Sequence, residues 1–553
     1  MSADPKPDEA QAAANAAAAA QLAAGLADAG VRAAVISPGS RNTPLVLALA
    51  ARPDIAAHSV VDERVAGFLA LGLARASGRP VVLSCTSGSA GAHYLPALIE
   101  AWHSRVPLVV VTADRPAELH GCGAPQTIDQ RHLFGGFVHL SRDLPAPAPG
   151  LPDAWIRAAA ADATRRARRR GGPVHLNAAF REPLWMPGLA VEAPAARPEA
   201  AEAPFTAPPL AALADRVTAA RRGVIVAGPG APPLAPLAEA LGWPLLAEAA
   251  AGPNPGRITT ADALLRGPFA RHRPDLALRF GLPPTAKSLN RWLHGVDTIT
   301  VDPHGDRLDP THAAAVVEAD PAALAAALAA LPTAPDADWR PRWRRAEAIA
   351  RATLDRHLRD GLWGGAIAAA LTAARPAAIH AGNSMAIRDL DLADPGPARV
   401  YSSRGANGID GTIATAAGEA LATAGPLAAL LGDLSALHDA GGLLHAGALD
   451  RPLTLVVADN GGGGIFEYLP IAAHAAAFER WFLTPRSTRL DALCAAAGVR
   501  YAEVTAAPAL APALAAAINR PGVDCVHVRV DRQDDTARHR AAWAAVAAAT
   551  EDL

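Results

Sequence analysis

The sequence predicts an α/β protein of three consecutive doubly wound domains, each with a parallel sheet. Three observations predict it. Short runs such as "VVLSC" and "LTLVVAD" are apolar along their whole length and end on Gly, Ser, Asp or Asn. They alternate with longer Ala- and Leu-rich stretches of helical period. Strands without polar alternation are covered on both faces, as in parallel sheets wrapped by helices. Two Pro- and Ala-rich stretches, about 186–209 and 331–341, divide these runs into three series. A chain of 553 residues is long enough to bury several cores.

The first series holds "VRAAVISPGS", "RPVVLSCTSGS", "VPLVVVTADRP" and "GPVHLN" and predicts a domain over 1–190. "RRGVIVAGPG", "WPLLAE", "DLALRFG" and "DTITVDP" make a middle domain over 205–332. "AAIHAGNS", "RVYSSRGANGIDG", "LAALLGDL", "LTLVVADNGGGG" and "VDCVHVRVD" make the third, over 345–553. In such sheets ligands gather at the carboxyl ends of the strands, where these polar motifs fall.

Composition removes several classes of function. Lys and Arg number 51 against 53 Asp and Glu, a net charge of −2, which lacks the basic excess of a nucleic-acid binder. The run "RRARRR", Arg165–Arg170, reads as a solvated helix face. Cys85, Cys122, Cys494 and Cys525 are widely spaced with no CxxC pair, so they predict reduced, mostly buried thiols rather than a zinc site or disulfides. The start, "MSADPKPDEAQAAANAAAAAQLAAGLADAG", lacks the basic head and apolar core of a signal peptide and reads as a soluble helix. No stretch predicts a membrane span. The expected location is the cytoplasm.

Chemistry concentrates in the third series. Asp433 ends one apolar run and Asn460 ends the next, 27 residues later, followed by the glycines Gly461–Gly464. A carboxylate, an amide oxygen and a nearby backbone carbonyl suit a hard Mg2+ ion that keeps positions open for phosphate oxygens. Four glycines cost backbone entropy, and bare N–H groups there would let a diphosphate approach. In the first series, Glu63 in "SVVDERVAGFLALGLARASGRP" sits between a strand and an apolar helix. Alone, it reads as a helix-entry carboxylate paired with a neighbouring arginine. "SPGSRNTPL" reads as a strand end, a turn at Pro38-Gly39, and a helix capped by Asn42 or Thr43 with Pro44 at its start.

The Gly-Asp pair followed by "DN" resembles the thiamine-diphosphate motif. Asp433, Asn460 and the Gly462 carbonyl are thereby implied as ligands of Mg2+ or Mn2+, with Glu63 as the acid that activates the coenzyme. "SPGSRNTPL", "TADRPAEL", "CGAPQTIDQ", "GPVHLNAAFREPL", "GNSMAIRDLD", "SRGANGIDG" and "NGGGGIFEYLP" follow in order across nearly the whole chain. Together they resemble the 2-succinyl-5-enolpyruvyl-6-hydroxy-3-cyclohexene-1-carboxylate synthase family, thiamine-diphosphate-dependent transferases of menaquinone biosynthesis.

The resemblance implies decarboxylation of 2-oxoglutarate and 1,4-addition of the resulting succinyl carbanion equivalent to isochorismate. It implies a homodimer or a dimer of dimers whose active sites lie between subunits. The two substrates bring four carboxylates, which call for fixed cations, preferably arginines. Arg41, Arg115, Arg388, Arg404 and Lys287 supply them. By the match, Ser40, Arg41, Arg115 and Lys287 face isochorismate, while Ser384, Arg388 and Arg404 face 2-oxoglutarate. Gln126 is implied near the reacting carbons, Ile409 under the bent coenzyme, and Ile465, Phe466 and Leu469 as an apolar wall. Gly432, Leu434, Gly463 and Ile465 are implied around the coenzyme.

Two departures from the pattern are visible: Asp459 stands where the family has the first Asn, and Ser288 where a second basic residue is expected. The alternatives are another thiamine-diphosphate lyase or carboligase of the acetolactate synthase or decarboxylase type, and a non-catalytic paralogue. "VIVAGPGAPP" alone is a weak nucleotide signal, and the resemblance implies a mostly structural middle domain.

Overall fold

The computed structural model describes residues 6–150, 153–198, 210–310 and 312–553. Its strands form three sheets. The first runs β2 (Ala56–Ser59), β1 (Ala33–Ile36), β3 (Val81–Cys85), β4 (Leu108–Asp114), β6 (Val174–Ala179), β5 (Ser141–Leu144). The second runs β11 (Ala315–Glu318), β10 (Asp297–Asp302), β9 (Leu276–Phe280), β7 (Gly223–Ala227), β8 (Leu245–Ala247). The third runs β13 (Arg399–Ser402), β12 (Ala378–Ala381), β14 (Leu427–Gly432), β15 (Leu453–Asp459), β17 (Val523–Arg529), β16 (Arg500–Val504). All neighbouring strands pair in parallel. The first and third sheets repeat one strand order.

The strands read from apolar runs include every central one, together with the edge strands β8 and β13. β3, β4, β7 and β9 are buried at every residue. β5, β11 and β16 escaped the reading, and each lies at a sheet edge with exposed or half-exposed residues in "SRDL", "AVVE" and "RYAEV". These three face helices with only part of their surface, so no continuous apolar run marks them.

The helices that matter for the site are α1 (Glu63–Ser77), α2 (Leu95–Ser104), α3 (Lys287–Leu293), α4 (Trp339–Leu358), α5 (Met385–Ala393), α6 (Thr412–Ala422) and α7 (Arg532–Ala549). α1 of the first domain and α6 of the third cross in direct backbone contact. A Cβ on Gly72 would lie 2.0 Å from the Thr415 carbonyl oxygen, and one on Gly418 would lie 2.0 Å from that of Leu69. One hydrophobic core therefore spans both domains, joining Phe68 and Leu69 to Ile413, Ala417 and Val457. Trp339 and Trp343 of α4 pack on Phe269 and Trp292 of the middle domain and on Ala542 and Val546 of α7. The Trp339 indole N–H donates to the Gly223 carbonyl at 2.9 Å.

Residues 199–209 of the first predicted linker lie outside the described residues. Arg166, Arg169 and Arg170 are exposed, as a solvated face requires. The four cysteines are unpaired, three buried and Cys122 exposed. Among the described residues no helix is long and apolar enough to cross a membrane.

Candidate active site

β14 and β15 are neighbours in register, Gly432 opposite Ala458, so Asp433 and Asp459 emerge side by side. A cavity of about 440 Å3 opens there, lined by Ile409, Gly432, Asp433, Leu434, Asn460, Gly462, Gly463, Ile465 and Phe466. Ser384, Arg388 and Arg404 line it as well. Burial and the charge of Asp459 push the Asp433 carboxyl up to about 7. Asp459 has its own partners. Its Oδ2 lies 2.7 Å from His527 Nε2 and accepts from Arg529 at 3.3 Å, while its Oδ1 accepts the Gly461 N–H at 2.9 Å. Burial would raise this carboxyl, but those partners outweigh it and hold the group below its ordinary value. The departure to Asp459 is thus accommodated by His527 and Arg529.

Among the described residues Asn460 Oδ1 is buried with no hydrogen-bond partner. A buried acceptor left unmet costs about 1–3 kcal/mol, and beside an electron-rich Asp433 a divalent cation satisfies both groups. The donor set fits a hard metal ion. The glycine run has a further cause that the sequence did not disclose. Cβ atoms on Gly462, Gly463 and Gly464 would lie 2.2 Å from Leu483 O, 2.4 Å from Phe482 O and 2.2 Å from Asn460 Nδ2. The Gly463 N–H donates to Leu483 O at 2.8 Å. Close approach of the chain's own 482–483 segment already excludes side chains here, before any ligand is considered.

The rim combines Ser384, Arg388 and Arg404 with residues that the sequence did not single out, Asn383 first among them. Ser384 caps α5 with φ 68° and ψ −129°, a strained conformation for a non-glycine residue. Its carbonyl accepts from Arg388 Nη1. Asn383 Oδ1 accepts from Arg404 Nη1 at 2.7 Å, and its amide donates to the carbonyls of Ser403 at 2.9 Å and Gly408 at 2.6 Å. Asn383 therefore fixes both Arg404 and the turn before Ile409. Burial and then the charge of Arg388 lower the Arg404 pKa. Gly364, Asp389 and Asp535 line the cavity too; His539 Nε2 lies 2.6 Å from Asp389 Oδ1, and the Gly364 N–H donates to Asp535 at 2.8 Å. Their spacing along the chain carried no motif.

A second cavity, about 450 Å3, shares Met385, Arg388, Ile465 and Phe466 with the first and extends past Leu469 to Lys287, Ser288 and Arg291. Glu248 accepts the N–H groups of Thr285 at 2.6 Å and Ala286 at 2.7 Å and so fixes the turn before Lys287. Asp391 of α5 accepts the Ala249 N–H at 2.7 Å, tying the Arg388 helix to the same segment.

The first-domain residues form a separate group. Ser40 accepts from the Thr43 hydroxyl at 2.7 Å. Asn42 precedes the helix but donates to Ser37 O at 2.9 Å instead of capping it. Arg41 is buried, donating to Phe180 O at 3.0 Å and Glu182 at 2.7 Å. Arg115 Nη1 donates to Ser87 Oγ and, at 3.1 Å, to Gln126 O. Gln126 is exposed, with φ 51°. Buried Gln130 holds its loop, accepting the Gly88 N–H at 2.8 Å and donating to Ala113 O at 3.0 Å. β2 ends at Ser59, so Glu63 is the first residue of α1 rather than a strand end, and Asp62 is the cap. Among the described residues Glu63 has no side-chain hydrogen bond or ion pair, so the arginine pairing considered for it does not form. None of Ser40, Arg41, Glu63, Arg115 and Gln126 lines either cavity within one chain.

Comparison with known proteins follows the same division. Residues 16–133 match the model of the thiamine pyrophosphate enzyme N-terminal TPP binding domain, 210–380 its middle domain, and 382–528 its C-terminal TPP binding domain. A 2-succinyl-5-enolpyruvyl-6-hydroxy-3-cyclohexene-1-carboxylate synthase of Geobacillus kaustophilus is 40% identical, over 96% of this chain and 97% of its own. The chain belongs to that synthase family. Synthases of the same name from Sorangium cellulosum (40% identical, 94% of each chain) and Synechococcus elongatus (38%, 94% of each) are also similar. A solved benzoylformate decarboxylase from Polynucleobacter necessarius shares the fold, with a TM-score of 0.71 at 17% identity over 94% of this chain and 99% of its own. Like other members of the synthase family, the chain is a thiamine-diphosphate-dependent enzyme.

Proposed function

We propose that the enzyme decarboxylates 2-oxoglutarate and adds the succinyl carbanion equivalent 1,4 to isochorismate, in menaquinone biosynthesis. The products are 2-succinyl-5-enolpyruvyl-6-hydroxy-3-cyclohexene-1-carboxylate and CO2. One observation carries the reading beyond the family resemblance. Among the described residues Arg388 and Arg404 form no ion pair, and they stand on one cavity rim beside Asp433 and the unmet Asn460 oxygen. Two guanidiniums without an ion pair in a half-buried site suit a dicarboxylate.

In this reading Asp433, Asn460 and the Gly462 carbonyl would hold Mg2+ or Mn2+, and Gly432, Leu434, Gly463 and Ile465 would border the diphosphate. Bound thiamine diphosphate supplies the electron sink for loss of CO2. Glu63 would exchange a proton with the bound coenzyme. Ile409 would pack against it. Ser384, Arg388 and Arg404 orient 2-oxoglutarate. Ser40, Arg41, Arg115, Gln126 and Lys287 orient isochorismate, while Ile465, Phe466 and Leu469 keep water out.

Because Glu63 and its neighbours do not line the third-domain cavity of their own chain, the reading requires a second chain. We propose a homodimer, or a dimer of dimers, in the cytoplasm. The boundaries 1–190, 205–332 and 345–553 remain our proposal for the domains. Incubation with thiamine diphosphate, Mg2+, 2-oxoglutarate and isochorismate, followed by mass spectrometry of the products, tests the function. Absence of the succinylated ring product refutes it. Loss of that product in Arg404→Ala separates it from a general carboligase.

A further inference from the structure

Lys287 and Arg291 lie four residues apart on α3, so they share a helix face, and both line the 450 Å3 cavity. Among the described residues neither makes an ion pair or a side-chain hydrogen bond. Two like charges at this spacing disfavour the short helix that carries them. Among the described residues neither acid of the same cavity pairs with them. Asp262 accepts from Ser288 Oγ and from Arg266 Nε, the latter at 3.0 Å, and Asp391 is bonded to the Ala249 N–H. Ser288, at the position where a second cation was expected, is 6% exposed and committed to Asp262. Arg388 and the apolar Ile465, Phe466 and Leu469 line the same cavity. The cavity thus pairs a two-cation edge with an apolar wall, the surface that fits an anionic ring.

We infer that Arg291 is a specificity-determining residue, which together with Lys287 seats one carboxylate of the acceptor substrate. Arg291 takes the part that residue 288 cannot. Glu248 makes the seat rigid by fixing the turn that precedes Lys287. The inference rests on the function proposed above and adds a residue to it.

The test compares wild type, Arg291→Gln and Arg291→Lys as full-length holoenzymes with Mg2+ and thiamine diphosphate. For Arg291→Gln the KM for isochorismate rises about 10-fold or more, as loss of a charge-assisted contact predicts. The KM for 2-oxoglutarate and kcat at saturation stay within about 2-fold, and Arg291→Lys recovers most of the loss. Calorimetric titration of isochorismate into holoenzyme without 2-oxoglutarate gives the same ratio of Kd values. The Tm of Arg291→Gln is unchanged or higher, because a repulsion has been removed. An unchanged KM for isochorismate in a wild-type background that forms product overturns the inference alone. So does a lowered Tm with both KM values raised together. A wild-type enzyme that forms no product from isochorismate overturns the proposed function, and this inference with it.

Discussion

Glu100, in α2 of the first domain, accepts the backbone N–H of Ala406 in the third at 2.7 Å. It also accepts that of Gly405 at 3.0 Å and the Arg75 guanidinium at 3.4 Å. Arg75 in turn reaches Glu419 at 3.1 Å, and Glu419 lies 2.7 Å from His380 Nδ1. The carboxylate of Glu100 is buried and anchors the loop that presents Arg404. Removing it leaves two amide donors without their acceptor and takes from half-buried Arg75 one of its two carboxylates. Glu100→Ala should lose about 1–3 kcal/mol of stability, measured by urea unfolding. Glu100→Gln should lose less and raise the KM for 2-oxoglutarate. A wild-type unfolding curve for Glu100→Ala would disprove the anchoring.

The unmet oxygen of Asn460 beside Asp433 predicts a stability gain on loading. Mg2+ with thiamine diphosphate should raise the Tm of wild type by several degrees, about 2.7 kcal/mol at 100 times the Kd. Asp433→Asn and Asn460→Ala should abolish that shift while leaving the unloaded Tm near its starting value. Calorimetry with and without EDTA reads the difference.

Glu63→Gln keeps the helix start, because Asp62 rather than Glu63 accepts the Arg64 and Val65 N–H groups. Far-UV circular dichroism should therefore match wild type. Turnover should fall about 10²–10⁴-fold, the range of a lost general acid–base. Turnover within a few-fold of wild type would remove Glu63 from its assigned role.

His539 sets a pH dependence of stability. Burial alone would depress its imidazole, but Asp389 and then Asp535 outweigh it and raise the pKa from 6.5 to about 9. Asp535 is itself pushed up to about 6, first by burial, so Asp389 at 2.6 Å is the principal partner. A raised histidine pKa means the native state binds the proton more tightly than the unfolded chain. The contribution is therefore complete below about pH 6.5 and lost as pH rises through about 9, on the order of 3 kcal/mol. Urea midpoints at pH 6, 7.5 and 9.5 should fall in wild type across that window and stay flatter in His539→Gln.

The central strands and the residues at their carboxyl ends were legible because burial on both faces demands continuous apolar runs, which end where the chain must turn. Asp433 and Asn460 end two such runs, and the structure brings them to one cavity. The edge strands β5, β11 and β16 were not legible, since half-exposed strands carry no such run. Asn383, Gln130, Glu248 and Glu100 were missed for another reason. Each acts through a hydrogen bond to a distant segment, as Glu100 does across 306 residues to Ala406.

The sequence by itself determined the three α/β series, the order of the polar turns and the family, because these depend on local apolar patterning and on motifs read in line. The tertiary structure alone decided which of those turns meet. It gathered Ser384, Arg388, Arg404, Asp433 and Asn460 at one cavity and kept Glu63, Arg41 and Gln126 out of it. It also assigned the bare glycines to the approach of Leu483, turned Ser288 toward Asp262 and gave Asp459 to His527. The physical reason is that a hydrogen bond or a steric contact is fixed by distance in space, and sequence separation does not encode that distance.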